Sequence, residues 1–462
     1  MDADEPLSDD EIRAQFEPLL GMPMAVAVSG GADSMALMHI AQRALDLVPP
    51  QVETMRQPGR SRLIVLTVDH GLRPGSAEDA AWVVSRAEAL GLPCRVLVWS
   101  GDKPAQGIQA AARVARYQLM HDALVEEARP YDGLVRPLLT AHHYEDQAET
   151  FLMRLARGSG IDGLSAMQHT ALIPTTIMPP GAYGARLTVI RPLLDFPKSR
   201  LIATLKAAGL DWREDPSNER DDFERVRVRK ALGVLADLGI TSASISRSAS
   251  RLSRARAAVM RQAYEAAERH IHWHDGAFGS IPLDAINDLS EEIAIRVLTR
   301  LIGAFSGEAP DPRLSEIEAL AERIRATTDR AWPTRAATLG GCRLDWRPGG
   351  ILRVWREAGR TDLPTLVVEP GTKSAVWDRR FDITTAADMS APIEVRALGA
   401  AGWSALKAEH RPVANLRLPP GAGATLPACW LGDRLTAVPG LPAPKSAEIS
   451  ATFLGGLDRV AL

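Results

Sequence analysis

At 462 residues the chain is longer than one compact core usually holds, and about two to four domains are expected. With 46% hydrophobic and 24% charged residues, its composition is globular and excludes a disordered or fibrous chain. The net charge of −3 excludes a uniformly basic nucleic-acid binder, so any RNA-binding surface must be a local patch.

Met1-Asp-Ala-Asp-Glu-Pro is acidic and lacks the basic and apolar regions of a signal peptide, and no apolar run reaches about 18 residues. Cys94, Cys342 and Cys429 form neither a CxxC pair nor a disulfide framework. A reducing, cytoplasmic setting without membrane contact is the expectation. From residue 24 to about 210, short apolar runs alternate with helical patterns, the mark of βαβ units around a parallel sheet. The expected strands are 24–28, 63–68, 94–98, 135–140 and 187–191. Helices are expected at 76–90 and 108–128, and residues 48–62 and 173–186 read as surface loops. After Asp215-Pro216-Ser217-Asn218 helical residues dominate to about 330. Beyond that, short runs such as Ile351-Leu-Arg-Val-Trp355 among Gly and Pro predict a small mixed or β-rich region. The domain boundaries read this way are 1–215, 216–330 and 331–462.

The strongest chemical signal is Ala25-Val-Ala-Val-Ser-Gly-Gly-Ala-Asp-Ser34, a buried strand running through a glycine pair into a helix. Gly30 and Gly31 let the backbone approach an anion, and the helix start offers unpaired N–H groups and a positive dipole end. Ser29 and Ser34 add hydroxyls, while the spacing fits neither a Walker A loop nor a dinucleotide GxGxxG turn. Asp33 would repel phosphate unless magnesium lies between them, which makes metal positioning its expected role. The bland reading of Gly-Gly is a plain strand-to-helix turn. Val68-Asp69-His70-Gly71 ends the second strand at the edge where open α/β sheets bind ligands; alternatively, Asp69 and His70 only cap a turn. Arg113 and Arg116 lie at i and i+3 on one helical face. In Thr140-Ala-His142-His143-Tyr-Glu145-Asp146-Gln-Ala-Glu149, Asp146 and Glu149 share a helix face, and two carboxylates suit an ammonium group. The paired histidines raise zinc as a rival, but adjacent side chains ligate awkwardly and no cysteines cluster there.

Residues 225–261 hold nine Arg or Lys against one acid, Asp237. Arg225, Arg227, Arg229 and Lys230 begin this island, and Arg247, Arg251 and Arg254 recur near helical spacing, as a stripe for RNA phosphates or a solvated, salt-bridged face would. In His270-Ile-His272-Trp-His274, alternating histidines could line one side of a strand and bind metal, whereas a helix would scatter them; with no local Cys or acidic partner set, a surface turn is the favoured reading.

SGGADS, VDHGLR, AARVARY, HHYEDQAET, Arg157-Gly-Ser-Gly-Ile-Asp-Gly-Leu164, Arg191-Pro-Leu-Leu and DPSN together, in this order, resemble the tRNA(Ile)-lysidine synthase family of PP-loop ATP pyrophosphatases. The resemblance is close over residues 24 to about 230, looser through the helical stretch and thin beyond about 330. It implies an α/β fold: an open parallel-sheet PP-loop domain, like that of the adenine nucleotide α hydrolases, then a helical tRNA-binding domain and a mixed or β-rich C-terminal domain. The implied chemistry is ATP-dependent attachment of L-lysine to C2 of the wobble cytidine in the CAU anticodon of tRNA(Ile), through an adenylated tRNA, with release of pyrophosphate and AMP. That product changes amino-acid identity from Met to Ile and codon reading from AUG to AUA. By position, Ser29, Gly30, Gly31, Ala32, Asp33, Ser34, Asp69 and His70 would bind ATP and Asp33 would hold Mg2+. Asp33, Arg113 and His142 would serve catalysis, Asp146 and Glu149 would bind lysine, and Arg225, Arg227, Arg229 and Lys230 would bind tRNA. The general base is open, and a homodimer is compatible with the resemblance. Glu145 stands where the family commonly has Asp. Rival functions are a PP-loop tRNA thiolase, disfavoured by three isolated cysteines; a GMP-synthetase-like amidating enzyme, disfavoured by the lack of a glutaminase cysteine motif; and a non-catalytic tRNA-binding protein.

Overall fold

The computed structural model describes residues 5–47, 61–104, 106–128, 135–174, 186–214, 224–307, 309–326, 334–346, 350–359, 362–372, 374–389, 391–432, 434–442 and 448–455. Two compact units emerge, one of residues up to 174 with 186–256 and one from residue 257 onward. The Asp215-Pro216-Ser217-Asn218 motif and most of the expected loops 48–62 and 173–186 lie outside the described residues.

The first unit holds α1 (Asp9–Phe16), β1 (Met24–Ala27), α2 (Ala32–Asp46), β2 (Leu63–Asp69), α3 (Ser76–Ala89), β3 (Cys94–Val98), α4 (Ile108–Ala128), β4 (Leu138–Leu139), α5 (Tyr144–Ala156), α6 (Ile161–Leu164), β5 (Thr170–Pro174), β6 (Arg186–Ile190), α7 (Lys198–Ala207), α8 (Glu224–Asp237) and the start of α9 (Ser242–His270). The sheet order is β3-β2-β1-β4-β6-β5. β1 pairs parallel with β2 and β4, β2 with β3, and β4 with β6; only β5 runs antiparallel. Apolar strands suit this placement because helices cover both faces: Met24, Val26, Leu63 and Val65 pack towards α2, while Ala25, Ile64, Leu66 and Leu138 pack towards Tyr117, Met120 and Leu124 of α4. β4 is shorter than its apolar run predicts. Arg136, almost fully buried, breaks the run by donating to the carbonyls of Ser61 and Met24 and pairing with Glu127.

The chain builds from β1 to β3 on one side of the sheet and then crosses to β4 on the other side of β1. Ligands bind at such a reversal, outside the carboxyl ends of the strands. The loops after β1 and β4 therefore face one crevice.

In the second unit, β7 (His272–His274), β8 (Phe278–Pro282), β9 (Arg335–Leu339), β10 (Cys342–Trp346) and β11 (Ile351–Arg356) form an antiparallel sheet ordered β7-β8-β11-β10-β9. It shares a core with the end of α9 and with α10 (Leu283–Asp288), α11 (Glu291–Phe305) and α12 (Leu314–Arg325). Strands thus begin inside the stretch read as helical. The expected surface turn is instead the end of α9 at His270 followed by an edge strand, His272–His274, because Trp273 turns inward against Phe305 and Phe453. His274 bonds Ser280 and stacks on Phe278, and among the described residues no group of His, Cys, Asp and Glu could hold a metal. A second core lies between the sheets β12-β15-β16-β17 and β13-β14-β18, with β12 (Leu366–Val368), β13 (Ala375–Trp377), β14 (Phe381–Thr385), β15 (Ile393–Ala397), β16 (Pro427–Leu431), β17 (Arg434–Ala437) and β18 (Ile449–Phe453). Among the described residues no helix is long and apolar enough to cross a membrane.

The turn joining β13 to β14 buries two charges, Asp378 and Arg380, and leaves Arg379 exposed. Asp378 and Arg379 adopt φ of 45° and 50°, the left-handed pair of a tight hairpin, and the Asp378 carboxylate binds Arg380 (2.6 Å) and Arg356 (3.1 Å). Removing one charge from such a buried cluster strands its partners. Asp378→Asn is expected to lower stability in urea, followed by tryptophan fluorescence, by about 3–5 kcal/mol. Glu394→Gln, which breaks the exposed pair with Arg396, is expected to cost no more than about 1 kcal/mol.

Candidate active site

The loop after β1 turns at Gly30, whose φ of 90° disfavours any side chain. Ser34 is buried and ties the loop: its hydroxyl donates to the Gly31 carbonyl (2.9 Å) and accepts from the Ser29 N–H (3.1 Å). The Arg213 N–H donates to the Gly30 carbonyl (2.9 Å) from the far side. Gly31 caps α2 in an extended conformation without a side-chain cap, which leaves the first N–H groups of the helix from Ala32 onward as an anion site.

Asp33, in the first turn of α2, faces two cations. Lys198 Nζ, at the start of α7, lies 3.0 Å from Oδ2 and His143 Nε2 lies 3.6 Å from the same oxygen. Oδ1 is buried with no hydrogen-bond partner. His143 caps α5 and binds Glu145 through Nδ1 (2.9 Å); its own N–H donates to Asp146 Oδ2 (3.0 Å). The Lys198 N–H also donates to Glu145. Burial opposes charge on His143, but hydrogen bonds to Asp33 and Glu145, with the field of Asp146, raise its pKa to about 10. Asp33 is correspondingly lowered: burial works against its charge, and His143 and Lys198 outweigh that burial.

The neighbouring histidine has the opposite state. His142 meets the Thr140 hydroxyl (3.1 Å), and burial together with Arg191, Arg113 and Arg225 pushes its pKa down to about 3 despite Asp146. One imidazole is therefore neutral and the next positive.

Glu149 is 1% exposed and its Oε1 accepts from Arg229 Nε (2.8 Å), while Oε2 is buried without a partner. Asp146 and Glu149 thus sit on one stretch of α5, as their spacing predicts, but both already have intramolecular partners. Asp69 closes its own turn by accepting from the Gly71 N–H (2.8 Å), whereas His70 is held below its ordinary pKa by burial and keeps Nδ1 buried and unpartnered. Arg113 is exposed and lies over Tyr117. α8 and α9 pack on α5 through Leu232, Ile245, Ala148 and Phe151, with the Tyr144 hydroxyl bonding the Ala243 carbonyl. Arg225, Arg227, Arg229 and Lys230 are exposed on α8, and Arg247, Arg251 and Arg254 on α9.

Sequence reading gave no role to Lys198, Glu145 or Arg191. Lys198 follows Pro197 at the start of α7 and Arg191 follows β6, so the rule that ligands gather at the strand ends was the available signal for the latter.

A phosphate loop between strand and helix at the reversal point of a parallel sheet defines a PP-loop domain, and the PP-loop domain model matches residues 7–235. The tRNA(Ile)-lysidine synthase of Methylobacterium sp. (strain 4-46) is 41% identical over 76% of this chain and 95% of that protein. That of Ruegeria pomeroyi is 35% identical over 96% and 94%. The chain belongs to the tRNA(Ile)-lysidine synthase family. Among solved structures, the U34-tRNA thiolase from Methanococcus maripaludis is similar with a TM-score of 0.39, at 16% identity, over 53% of this chain and 77% of that one.

The two histidines can be checked by their ring nitrogen resonances. His142 is expected to stay neutral down to about pH 4, and His143 to stay charged at pH 8.5. Because folding raises the pKa of His143, its stabilisation is complete below the unfolded value of about 6.5 and disappears as pH climbs through about 10. His142 acts inversely, and its neutral burial costs stability as pH falls from about 6.5 towards 3. A His143 ring that titrates near pH 6.5 would contradict this arrangement.

Proposed function

We propose that the chain adenylates the C2 oxygen of the wobble cytidine in a tRNA(Ile) with a CAU anticodon, using ATP and releasing pyrophosphate, and that lysine then displaces AMP to form lysidine. The observation carrying this reading is two sets of contacts joined by helix α5: Asp33 beside the phosphate loop meets His143, which meets Asp146, and one turn on Glu149 meets Arg229 of the basic helix α8. An anion site, paired carboxylates and an RNA-type surface therefore adjoin. Membership of the family supports it.

In this reading the α2 N–H groups, Ser29, Gly30, Gly31, Ala32 and Ser34 hold the ATP phosphates, and His70 with Asp69 lies on the nucleoside side. Adenylation turns a poor leaving oxygen into AMP, and Arg113 stabilises charge growing on phosphate. His142, neutral and depressed to about pKa 3, is too weak a base at neutral pH and serves as an uncharged hydrogen-bond partner beside the reacting base. Asp33 fits magnesium because Oδ1 is a hard, buried oxygen without a partner. Magnesium held by Asp33 and the phosphates would neutralise phosphate charge. Asp146 and Glu149 attract the lysine ammonium, which replaces Arg229 at Glu149 and releases that guanidinium towards RNA phosphate. A homodimer is part of the proposal only as an assembly compatible with the family.

Asp146→Asn and Glu149→Gln are expected to raise the lysine KM roughly ten- to a hundredfold while tRNA-dependent pyrophosphate release persists. Asp33→Asn should abolish that release with tRNA affinity nearly intact. Labelled lysine, mapped to its nucleoside, is the readout. Unchanged lysine dependence together with lost adenylation would move the α5 carboxylates to the ATP site.

Arg247, Arg251 and Arg254 form an exposed stripe, and changing all three to Ala is expected to weaken tRNA binding and flatten the salt dependence of log K by about one unit per lost phosphate contact. An unchanged slope would return the stripe to a solvated face.

A further inference from the structure

Arg191 follows the last residue of β6, at the carboxyl edge of the sheet, and is only 5% exposed. Its N–H donates to the His169 carbonyl, and Nη1 donates to the Gln168 carbonyl (2.7 Å). Gln168 is itself fixed by Ser253 and the Ser165 carbonyl. Arg191 Nε is buried with no hydrogen-bond partner. A guanidinium cannot shed its proton to escape this position, and a buried charge without an opposite charge is strongly unfavourable. Burial disfavours its charge, and the two charged side chains that add to that effect, Arg113 and Arg154, are both positive; only the Tyr117 phenol acts in the other direction. The surroundings therefore call for an anion.

We propose that Arg191 holds the α-carboxylate of the lysine substrate, completing a site whose other half is the carboxylate pair Asp146 and Glu149. The proposal rests on the lysidine reading above. Three observations select this anion. First, Arg191 is too buried to meet a polynucleotide backbone, whereas Arg113 and Arg225 are exposed and suited to phosphates. Second, β4 lies between β6 and β1, which puts Arg191 roughly 10 Å across the sheet from the phosphate loop, on the side away from β2 and the nucleoside. Third, Asp146 acts on His142 from the negative side and Arg191, with Arg113 and Arg225, from the positive, so both signs of charge reach the same imidazole. An amino acid carries the matching charges. The free Nε, with a neighbouring Nη, is the side of a guanidinium that grips a planar carboxylate with two parallel hydrogen bonds.

The test compares lysine with cadaverine, which lacks the carboxylate, and with lysinamide, which replaces it by a neutral amide. With the wild-type protein, ATP and tRNA, lysine is expected to outperform both by roughly ten- to a hundredfold in kcat/KM. Arg191→Gln should raise the lysine KM by a similar factor while changing the cadaverine KM far less, and Arg191→Lys should recover part of the loss. Equal use of lysine and cadaverine by the wild type, or equal loss of both in Arg191→Gln, overturns the carboxylate site. If Arg191→Gln does not fold, Arg191→Lys takes its place: a lysine KM raised more than the cadaverine KM supports the site, and equal or no change in the two overturns it. Failure of the underlying reading is distinguishable, because the wild type would then attach no labelled lysine to tRNA, which overturns this proposal as well.

Discussion

The half-buried carboxylate of Asp33, held between the Lys198 ammonium and the His143 imidazolium, organises the crevice. It draws three separate segments together: α2 supplies Asp33, the cap of α5 supplies His143, and α7 supplies Lys198. A buried carboxylate keeps its charge only where opposite charges and hydrogen bonds replace water. Here one carboxylate oxygen meets both cations, and the other is buried without a hydrogen-bond partner. Glu145 closes the arrangement from behind by binding both the His143 ring and the Lys198 N–H.

From that centre the crevice is polarised. Acidic groups on α2 and α5 keep His143 charged, while burial with Arg191, Arg113 and Arg225 keeps His142 neutral. Two adjacent residues can differ so completely because the chain passes there from strand to helix, and their side chains leave in different directions. α8 and α9 extend the positive side by packing on α5, so the basic island adjoins the helix carrying the carboxylates. Charge sign, rather than shape alone, separates regions suited to ammonium from regions suited to phosphate.

In the second unit a charged cluster performs structural work. Arg380 has no exposed surface and lies over Trp377 and Phe381, with its guanidinium bound to Asp378 and to the Thr425 carbonyl. Burial lowers its pKa to about 10, and the Asp378 charge limits that loss. Local sequence gives no sign of such a cluster, since Arg356 and Asp378 meet across 22 residues.

Local pattern determined the parallel-sheet elements of the first unit and the character of its phosphate loop. Apolar strands alternating with helices required a covered parallel sheet, and a glycine pair between strand and helix required an anion site, because both depend on backbone geometry over a few residues. The spacing of Asp146 and Glu149 likewise put them on one helix face. Tertiary structure decided what those groups meet. Glu149 with Arg229 is an association across 80 residues and Asp33 with Lys198 one across 165, and neither spacing carries a periodic signal. Packing also set the neutral state of His142, the positive state of His143 and the burial of Arg191, because desolvation and distant fields depend on contacts that no local run of residues encodes.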